Sequence, residues 1–176
     1  MNTRLKELAE QKYNATFHEK ESSPIMWLAY LFLQVVTWGK AKDFFAFSTT
    51  LGTRVYTHED VSDATLAHEI VHLDQYKRLG AWAFCWKYVT RKGRLELEIE
   101  AYGMTNTVKA DQGEAVGWGR LNRQAGLLTG PMYLWAGSSR APIIARLLAI
   151  HALRGRGLTG YQKNPALERC ILWAIT

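Results

Sequence analysis

The chain has 176 residues, enough for one domain that buries a sizeable core without cross-links. Its hydrophobic share of 48% and aromatic share of 12% exclude a mainly disordered chain. The two cysteines, Cys85 and Cys170, form no CxxC pair, which excludes a zinc knuckle. Two free thiols favour a reducing compartment, so we expect a cytoplasmic protein.

The net charge of +6 is unevenly distributed. Residues 116–176 sum to +7 and the first 115 residues to about −1. We therefore expect a core over 1–115 and a basic, mostly helical extension over 116–176. The extension suits an acidic protein partner or an assembly; nucleic acid is a weaker alternative without a recognised binding motif, and a solvated face is another. Its basic residues are Arg120, Arg123, Arg140, Arg146, Arg154, Arg156, Lys163 and Arg169.

The first elements predicted along the chain are two helices. Thr3 to Lys12 reads as a polar helix, and an apolar run from Ile25 to Trp38 follows Pro24, a residue suited to a helix start. The run is shorter than the roughly 20 residues of a membrane span, so we expect no span. We interpret it as a buried core helix, with an interfacial or membrane helix as the alternative. The polar residues before it predict no secretory signal.

A hairpin and two helices come next. Phe44 to Tyr56 is rich in strand-forming residues, and Gly52 suggests a turn between two strands. Apolar residues at helical spacing predict a helix from about Ser62 to Arg78, which Gly80 can end. Ala81 to Val89 predicts a second, aromatic helix.

The second half of the chain reads as further helices. Arg91 to Arg94 suggests a basic turn, Leu95 to Lys109 a helix, and Asp111 to Gly119 a loop. Together with the hairpin these elements predict a predominantly helical α+β fold. Shorter helical candidates lie near Met132 to Trp135, Pro142 to Leu153 and Ala166 to Ile175.

One predicted helix contains the motif His68-Glu69-Ile70-Val71-His72. Histidines four apart lie about 40° apart around a helix, so both rings can reach one ion. Two imidazoles in this spacing are typical zinc ligands, with Glu69 placed beside the metal as a general base. The alternative without chemistry is a helix with two histidines at the edge of the core.

A third ligand is expected because catalytic zinc usually has three protein ligands. The following segment offers Glu96, Glu98 and Glu100. On a helix Glu96 and Glu100 share a face, and Glu98 lies about 160° away. Only one of these faces can point to the metal; otherwise all three belong to a solvated surface.

HEIVH followed by ELEIEAY resembles the gluzincin pattern of HExxH and a downstream ExEA helix. More narrowly, residues 44–104 resemble small metallopeptidase-like proteins of bacteria and their phages. The resemblance implies a zincin-like core, Zn²⁺ as cofactor and Glu98 as third ligand, with Glu100 as the alternative. Where the family commonly has an acid supporting a histidine, this chain has Tyr102, whose hydroxyl can accept a hydrogen bond from an imidazole.

The resemblance also implies an edge strand that pairs with extended peptide substrate, for which Thr53 to Thr57 is the candidate. His58 lies just beyond it, and we expect a surface turn there rather than a site residue. Peptide hydrolysis needs a group that stabilises the oxyanion, and spacing does not choose among the candidates. These are Tyr76, Tyr102, Tyr133 and His151.

Two functions from different classes follow. The first is a zinc metallopeptidase acting on a peptide or protein substrate through metal-activated water and Glu69. The second is a non-catalytic, metal-stabilised interaction protein that acts through residues 116–176. If a phage encodes the chain, the second function suits a virion or assembly component, and the protein is then associated with the virion.

Overall fold

The computed structural model describes residues 2–58, 60–137, 139–155 and 164–176. These ranges form a predominantly helical α+β fold with one small sheet, as the sequence predicts. The α-helices are α1 (Thr3–Tyr13), α2 (Pro24–Thr37), α3 (Asp63–Leu79), α4 (Ala81–Val89), α5 (Arg91–Asp111), α6 (Trp118–Leu128), α7 (Arg140–Gly155) and α8 (Pro165–Ile175). The strands are β1 (Thr16–Glu19), β2 (Thr49–Leu51) and β3 (Arg54–Thr57), and short 3₁₀ turns cover Phe44–Ala46 and Pro131–Tyr133.

The sheet has the order β1-β3-β2. Strands β2 and β3 form the predicted antiparallel hairpin, and Gly52 takes a positive φ of 65° in its turn. Strand β1, which the sequence did not reveal, pairs parallel to β3. Because β3 is paired on both sides, the prediction that Thr53 to Thr57 is an edge strand is wrong. The strand at the edge of the hairpin is β2.

Helix α3 lies at the centre of the main core. Its first turn is capped by Ser62, whose hydroxyl accepts from the Thr65 amide, and Gly80 follows its last residue with φ 79°. Leu66 and Ile70 are fully buried among residues of α1, α5 and α8. Burying each such side chain stabilises the fold by about 1.5–3 kcal/mol. Helix α3 is enclosed on most sides, so its polar residues are held in the interior.

The junction of α4 and α5 differs from the predicted basic turn. Arg91 to Arg94 form the first turn of α5, and the Thr90 hydroxyl accepts a hydrogen bond from the Gly93 amide. A Cβ at Gly93 would overlap the Lys87 carbonyl oxygen. The glycine therefore permits the close approach of α4 to α5 and does not end a helix.

Helix α2 is not the buried core helix that we expected from its composition. Met26 and Thr37 are buried, but Leu28 is 67% exposed and Val35 is 77% exposed. One side of α2 packs on a small cluster around Phe44, and the elements in the described ranges leave the other side uncovered. The apolar composition of a helix predicts that it prefers to be buried, but it does not predict which other element packs on it. No helix in the described ranges is both long and apolar enough to cross a membrane.

More of the chain beyond residue 111 is helical than the sequence predicts. The expected loop up to Gly119 ends earlier, because α6 begins at Trp118. Helix α7 packs on α5 and α6, and α8 packs on α1 and α5. Of the basic residues predicted to mark this region, Arg156 and Lys163 lie outside the described residues, as does the side chain of Arg154.

Candidate metal centre

Packing of α3 against α5 brings His68, His72 and Glu98 together. The Nε2 atom of His68 lies 3.4 Å from Oε2 of Glu98, and Nε2 of His72 lies 3.6 Å from Oε1. All three side chains are buried, and one ligand atom from each lies within 4.8 Å of the others. One imidazole from each of two successive turns thus faces one carboxylate from the neighbouring helix.

The other two glutamates of α5 point elsewhere. Glu96 pairs with Lys87 at 2.9 Å. Glu100 accepts hydrogen bonds from Gln75 and Arg78, at 2.9 and 3.3 Å. The face of α5 that carries Glu98 is therefore the one that meets the histidines, and neither Glu96 nor Glu100 joins them.

The tautomer of His72 is set by Gln75. The Gln75 amide nitrogen donates to the Leu97 carbonyl and the Glu100 carboxylate, each at 2.9 Å, and both of these groups are acceptors only. The Gln75 oxygen must then face Nδ1 of His72, 2.8 Å away, and accept its proton. In the neutral imidazole the lone pair is therefore on Nε2, which faces Glu98.

His68 is oriented in the same way by Thr105. The Thr105 hydroxyl lies 3.2 Å from the Ala101 carbonyl and 3.4 Å from the Ala64 carbonyl, and it donates its single proton to them. Its oxygen accepts from Nδ1 of His68 at 3.2 Å. In the neutral imidazole the lone pair on Nε2 of His68 then faces Glu98, as in metal-binding histidines held by a neighbouring acceptor.

This donor set fits a divalent cation. Two nitrogen lone pairs and a carboxylate converge in the interior, and Oε2 of Glu98 is buried without a hydrogen-bond partner among the described residues. Two imidazoles and one carboxylate are a ligand set of catalytic zinc, which leaves a fourth position open. In the protein alone, burial lowers the pKa of His68, but attraction to the nearby Glu98 carboxylate outweighs burial and raises it.

Glu98 is held as an anion despite its burial. Burial raises its pKa, but attraction to His72 and His68 and the hydrogen bond from the Tyr88 hydroxyl together lower it. Tyr88 donates to Oε1 of Glu98 at 2.9 Å. Desolvation and the charge of Glu98 raise the pKa of Tyr88 well above its usual value, so this hydroxyl keeps its proton.

Glu69 borders the same cavity from α3. It is buried, and its Oε2 atom accepts a hydrogen bond from the Thr50 hydroxyl of β2 at 2.7 Å. This contact fixes the carboxylate and leaves Oε1 for a further partner. The buried ammonium of Lys20 contributes the nearby positive charge and donates to the Phe44 and Phe47 carbonyls at 2.7 and 2.6 Å.

The cavity in front of these residues has a volume of about 210 Å³. Its polar end is formed by His68, Glu69, His72 and Glu98. Its opposite wall is largely apolar, and the edge strand β2 runs along one side. The apolar lining comes from Leu33, Phe44, Phe47, Met132 and Leu134.

Of the four candidates for oxyanion stabilisation, Tyr133 lines the cavity. Its hydroxyl lies 3.1 Å from that of Tyr102, and the Tyr102 ring packs edge-on against His68 at 4.8 Å. The expected hydrogen bond from an imidazole to Tyr102 is therefore wrong, since Thr105 and Gln75 take that role. Tyr76 lines a separate depression, and His151 does not border this cavity.

His58 lies away from the cavity, in line with the expected surface turn. Its imidazole is hydrogen-bonded to the Phe45 carbonyl.

The sequence did not identify Thr50, Tyr88 or Thr105, which contact Glu69, Glu98 and His68. One signal was available on α5: Glu98, Tyr102 and Thr105 are spaced by four and three residues and share a face. No local pattern links Thr50 to Glu69 or Tyr88 to Glu98. Those contacts depend on how separate elements pack.

Comparison with known proteins found no protein-family model, no curated protein and no solved structure that matches this chain.

Proposed function

We propose that this chain is a zinc-dependent metallopeptidase-like hydrolase with a zincin-like core, in which His68, His72 and Glu98 hold the metal and Glu69 is the general base. The observation that carries the proposal is the buried pair of histidines whose Nδ1 protons are both engaged. Their free nitrogens face a buried carboxylate at a cavity that also contains Glu69. The resemblance to the gluzincin pattern supports the same assignment.

Zinc bound by these residues would act as a Lewis acid that polarises the scissile carbonyl and acidifies water. Glu69 is placed to take the proton of the attacking water with Oε1, because Thr50 already occupies Oε2. The carboxylic acid so formed returns its proton to the leaving amine. Burial of Glu69 excludes bulk water from this proton transfer.

Substrate binding is assigned to the edge strand and the apolar wall. Strand β2 borders the cavity through Thr49 and Thr50 and pairs with β3 along one side, so an extended peptide can add along its other side. The wall formed by Leu33 and Phe47 suits an apolar side chain next to the scissile bond. Tyr133 is the candidate donor to the developing oxyanion, since it is the one of the four candidates that lines the cavity.

The test compares the purified wild-type protein with Glu69→Gln, both loaded with zinc, on a peptide library of mixed sequence. We expect cleavage by the wild type and a loss of at least about a hundredfold in the variant. Equal cleavage by both proteins would remove Glu69 from the mechanism. Stoichiometric zinc without cleavage by either would leave the non-catalytic interaction protein as the better assignment, with the metal serving stability.

A further inference from the structure

The outer face of α2 is an uncovered apolar surface. Leu28, Leu31, Phe32 and Val35 share one face, because each lies three or four residues from two of the others along the helix, and each is at least 57% exposed. Single exposed apolar residues are ordinary, but a continuous stripe on one helix marks a contact surface. Pro24–Thr37 contains no charged residue. We call these four residues the α2 stripe.

Exposed tryptophans stand at both ends of this helix. Trp27 in its first turn is 48% exposed, and Trp38 directly after its last residue is 90% exposed. Tryptophan is enriched where an apolar phase meets water, because its ring is apolar and its N–H is polar. The opposite side of α2 is held on the protein through Met26, so the stripe has a fixed orientation.

The α2 stripe adjoins a residue that lines the cavity. Leu33 of α2 lines the cavity, and Met132 packs on the same cluster as α2. The segment after Met132 is tied to the start of α5, where Arg94 donates to the Tyr133 carbonyl and Arg91 to the Trp135 carbonyl. Helix α2, through Leu33, and the start of α5, through Arg94, both border the cavity, and we call this border the rim.

Positive charge accompanies the apolar surface on both sides of that rim. Lys40 and Lys42 follow α2, and Arg91 and Lys92 open α5. All four are exposed, and none forms a salt bridge with another described residue. The acids in the segments flanking α2 are Glu19, Glu21 and Asp43.

We propose that the α2 stripe and these four cations dock the protein on an anionic lipid bilayer, with α2 lying in the interface. An uncharged helix of 14 residues is too short to span a bilayer, for which about 20 are needed, but it can bury one face among the acyl chains. The four flanking cations are complementary to anionic head groups.

The exposed tryptophans favour a bilayer over a second copy as the occupant. Trp27 and Trp38 stand at the two ends of the uncharged helix, where an interfacial helix meets the polar head groups. A bilayer presents negative charge around an apolar interior and matches both the four cations and the stripe. Docking does not depend on hydrolysis. If the proposed function holds, docking also brings the cavity close to the membrane surface.

The test is co-sedimentation of the full chain with vesicles of phosphatidylcholine alone or mixed with phosphatidylglycerol. We expect binding to the mixed vesicles with a blue shift of tryptophan emission. The double variant Leu31→Ser, Phe32→Ser should lower the partition coefficient roughly tenfold or more. The charge reversals Lys40→Glu and Lys42→Glu should weaken binding to mixed vesicles and make it less dependent on salt.

The matched control is Leu148→Ser with Trp173→Ser, two apolar residues exposed on α7 and α8. It should bind as the wild type does. All substituted side chains are exposed, so unchanged circular dichroism and zinc content are expected. The proposal is overturned if the wild type fails to sediment with mixed vesicles or if both double variants bind equally. A dimer that Leu31→Ser, Phe32→Ser dissociates, without vesicle binding, would assign the stripe to a second copy instead.

Discussion

Gln75 accepts the Nδ1 proton of His72 over 2.8 Å while its own amide group is committed to α5. A residue three positions after the second histidine thereby fixes the ring that faces Glu98. Because the Leu97 carbonyl and the Glu100 carboxylate cannot donate, the amide has one orientation that satisfies all its partners. The contact joins α3, which carries the HExxH motif, to α5, which carries Glu98.

The first prediction is that Gln75→Leu weakens zinc binding about 10- to 100-fold, the usual effect of removing the partner of a metal-binding histidine. The leucine keeps the volume but leaves Nδ1 of His72 without an acceptor. Competition with a chromophoric chelator measures the affinity. Gln112→Leu, at an exposed glutamine after α5, is the control and should bind zinc normally. Equal affinities of the two variants would contradict the orienting role.

The second prediction separates the two glutamates that the sequence left open as third ligand. Glu98→Ala should reduce bound zinc from about one per chain to a small fraction, because it removes the carboxylate that faces both imidazoles. Glu100→Ala should retain zinc with a modest loss of affinity, since it removes one partner of Gln75. Metal analysis after dialysis distinguishes them. Retention of zinc by Glu98→Ala, or its loss in Glu100→Ala alone, would reverse the assignment.

Much of this arrangement could be predicted because its signals are local. Ser62 and Gly80 bound α3 within a few residues of their predicted places, and the spacing of His68 and His72 puts them on one face. Choosing Glu98 over Glu100 needed the resemblance, since periodicity alone defined two opposite faces. The structure places Glu98 beside the histidines and Glu100 beside Arg78.

The rest depends on contacts between segments far apart in the chain. Thr105 is 37 residues from His68, and β1 pairs with a strand that follows an entire helix. Neither contact produces a periodic pattern in the sequence from which it could be predicted. The glycines after Asp111 predicted a loop where α6 begins. The apolar composition of α2 predicted a buried helix, but the described residues leave one side of it exposed.

The third prediction concerns Tyr133, the candidate that lines the cavity. Tyr133→Phe should lower kcat by about 10²–10³ and change KM far less, because its hydroxyl acts on charge that develops only in the transition state. Desolvation and the charge of Glu98 raise the pKa of Tyr133 well above its ordinary value, so it remains a donor through alkaline pH. Steady-state kinetics on a peptide cleaved by the wild type provide the measurement.

The control for Tyr133 is Tyr76→Phe, which removes a hydroxyl from the other depression. It should have wild-type kinetics. A proportional loss in both variants, or a rise in KM alone for Tyr133→Phe, would point to packing or substrate binding instead of transition-state stabilisation.

The last prediction concerns the buried ammonium of Lys20, which lies 3.8 Å from the Phe44 ring centroid and donates to three oxygens. Burial lowers its pKa from 10.5 to about 8, against the attraction of Glu69. Between these values the unfolded chain keeps the proton that the folded protein has released. The contribution of Lys20 to the free energy of unfolding therefore rises with pH from about 8 towards 10 and is flat below about 8.

Urea denaturation at about pH 7, 8 and 9.5 measures this slope, and comparison with variants that keep every tyrosine cancels the tyrosines that begin to ionise near pH 10. The wild type should gain on the order of 2 kcal/mol across the upper interval from this group. Lys20→Met should lack the gain and should be less stable at pH 7 by roughly 2–4 kcal/mol, because the Phe44 and Phe47 carbonyls lose their donor. Lys6→Met, at a partly exposed lysine of α1, should keep the wild-type slope. Identical slopes in Lys20→Met and Lys6→Met would show that Lys20 stays protonated throughout and that its burial leaves its pKa near the unfolded value.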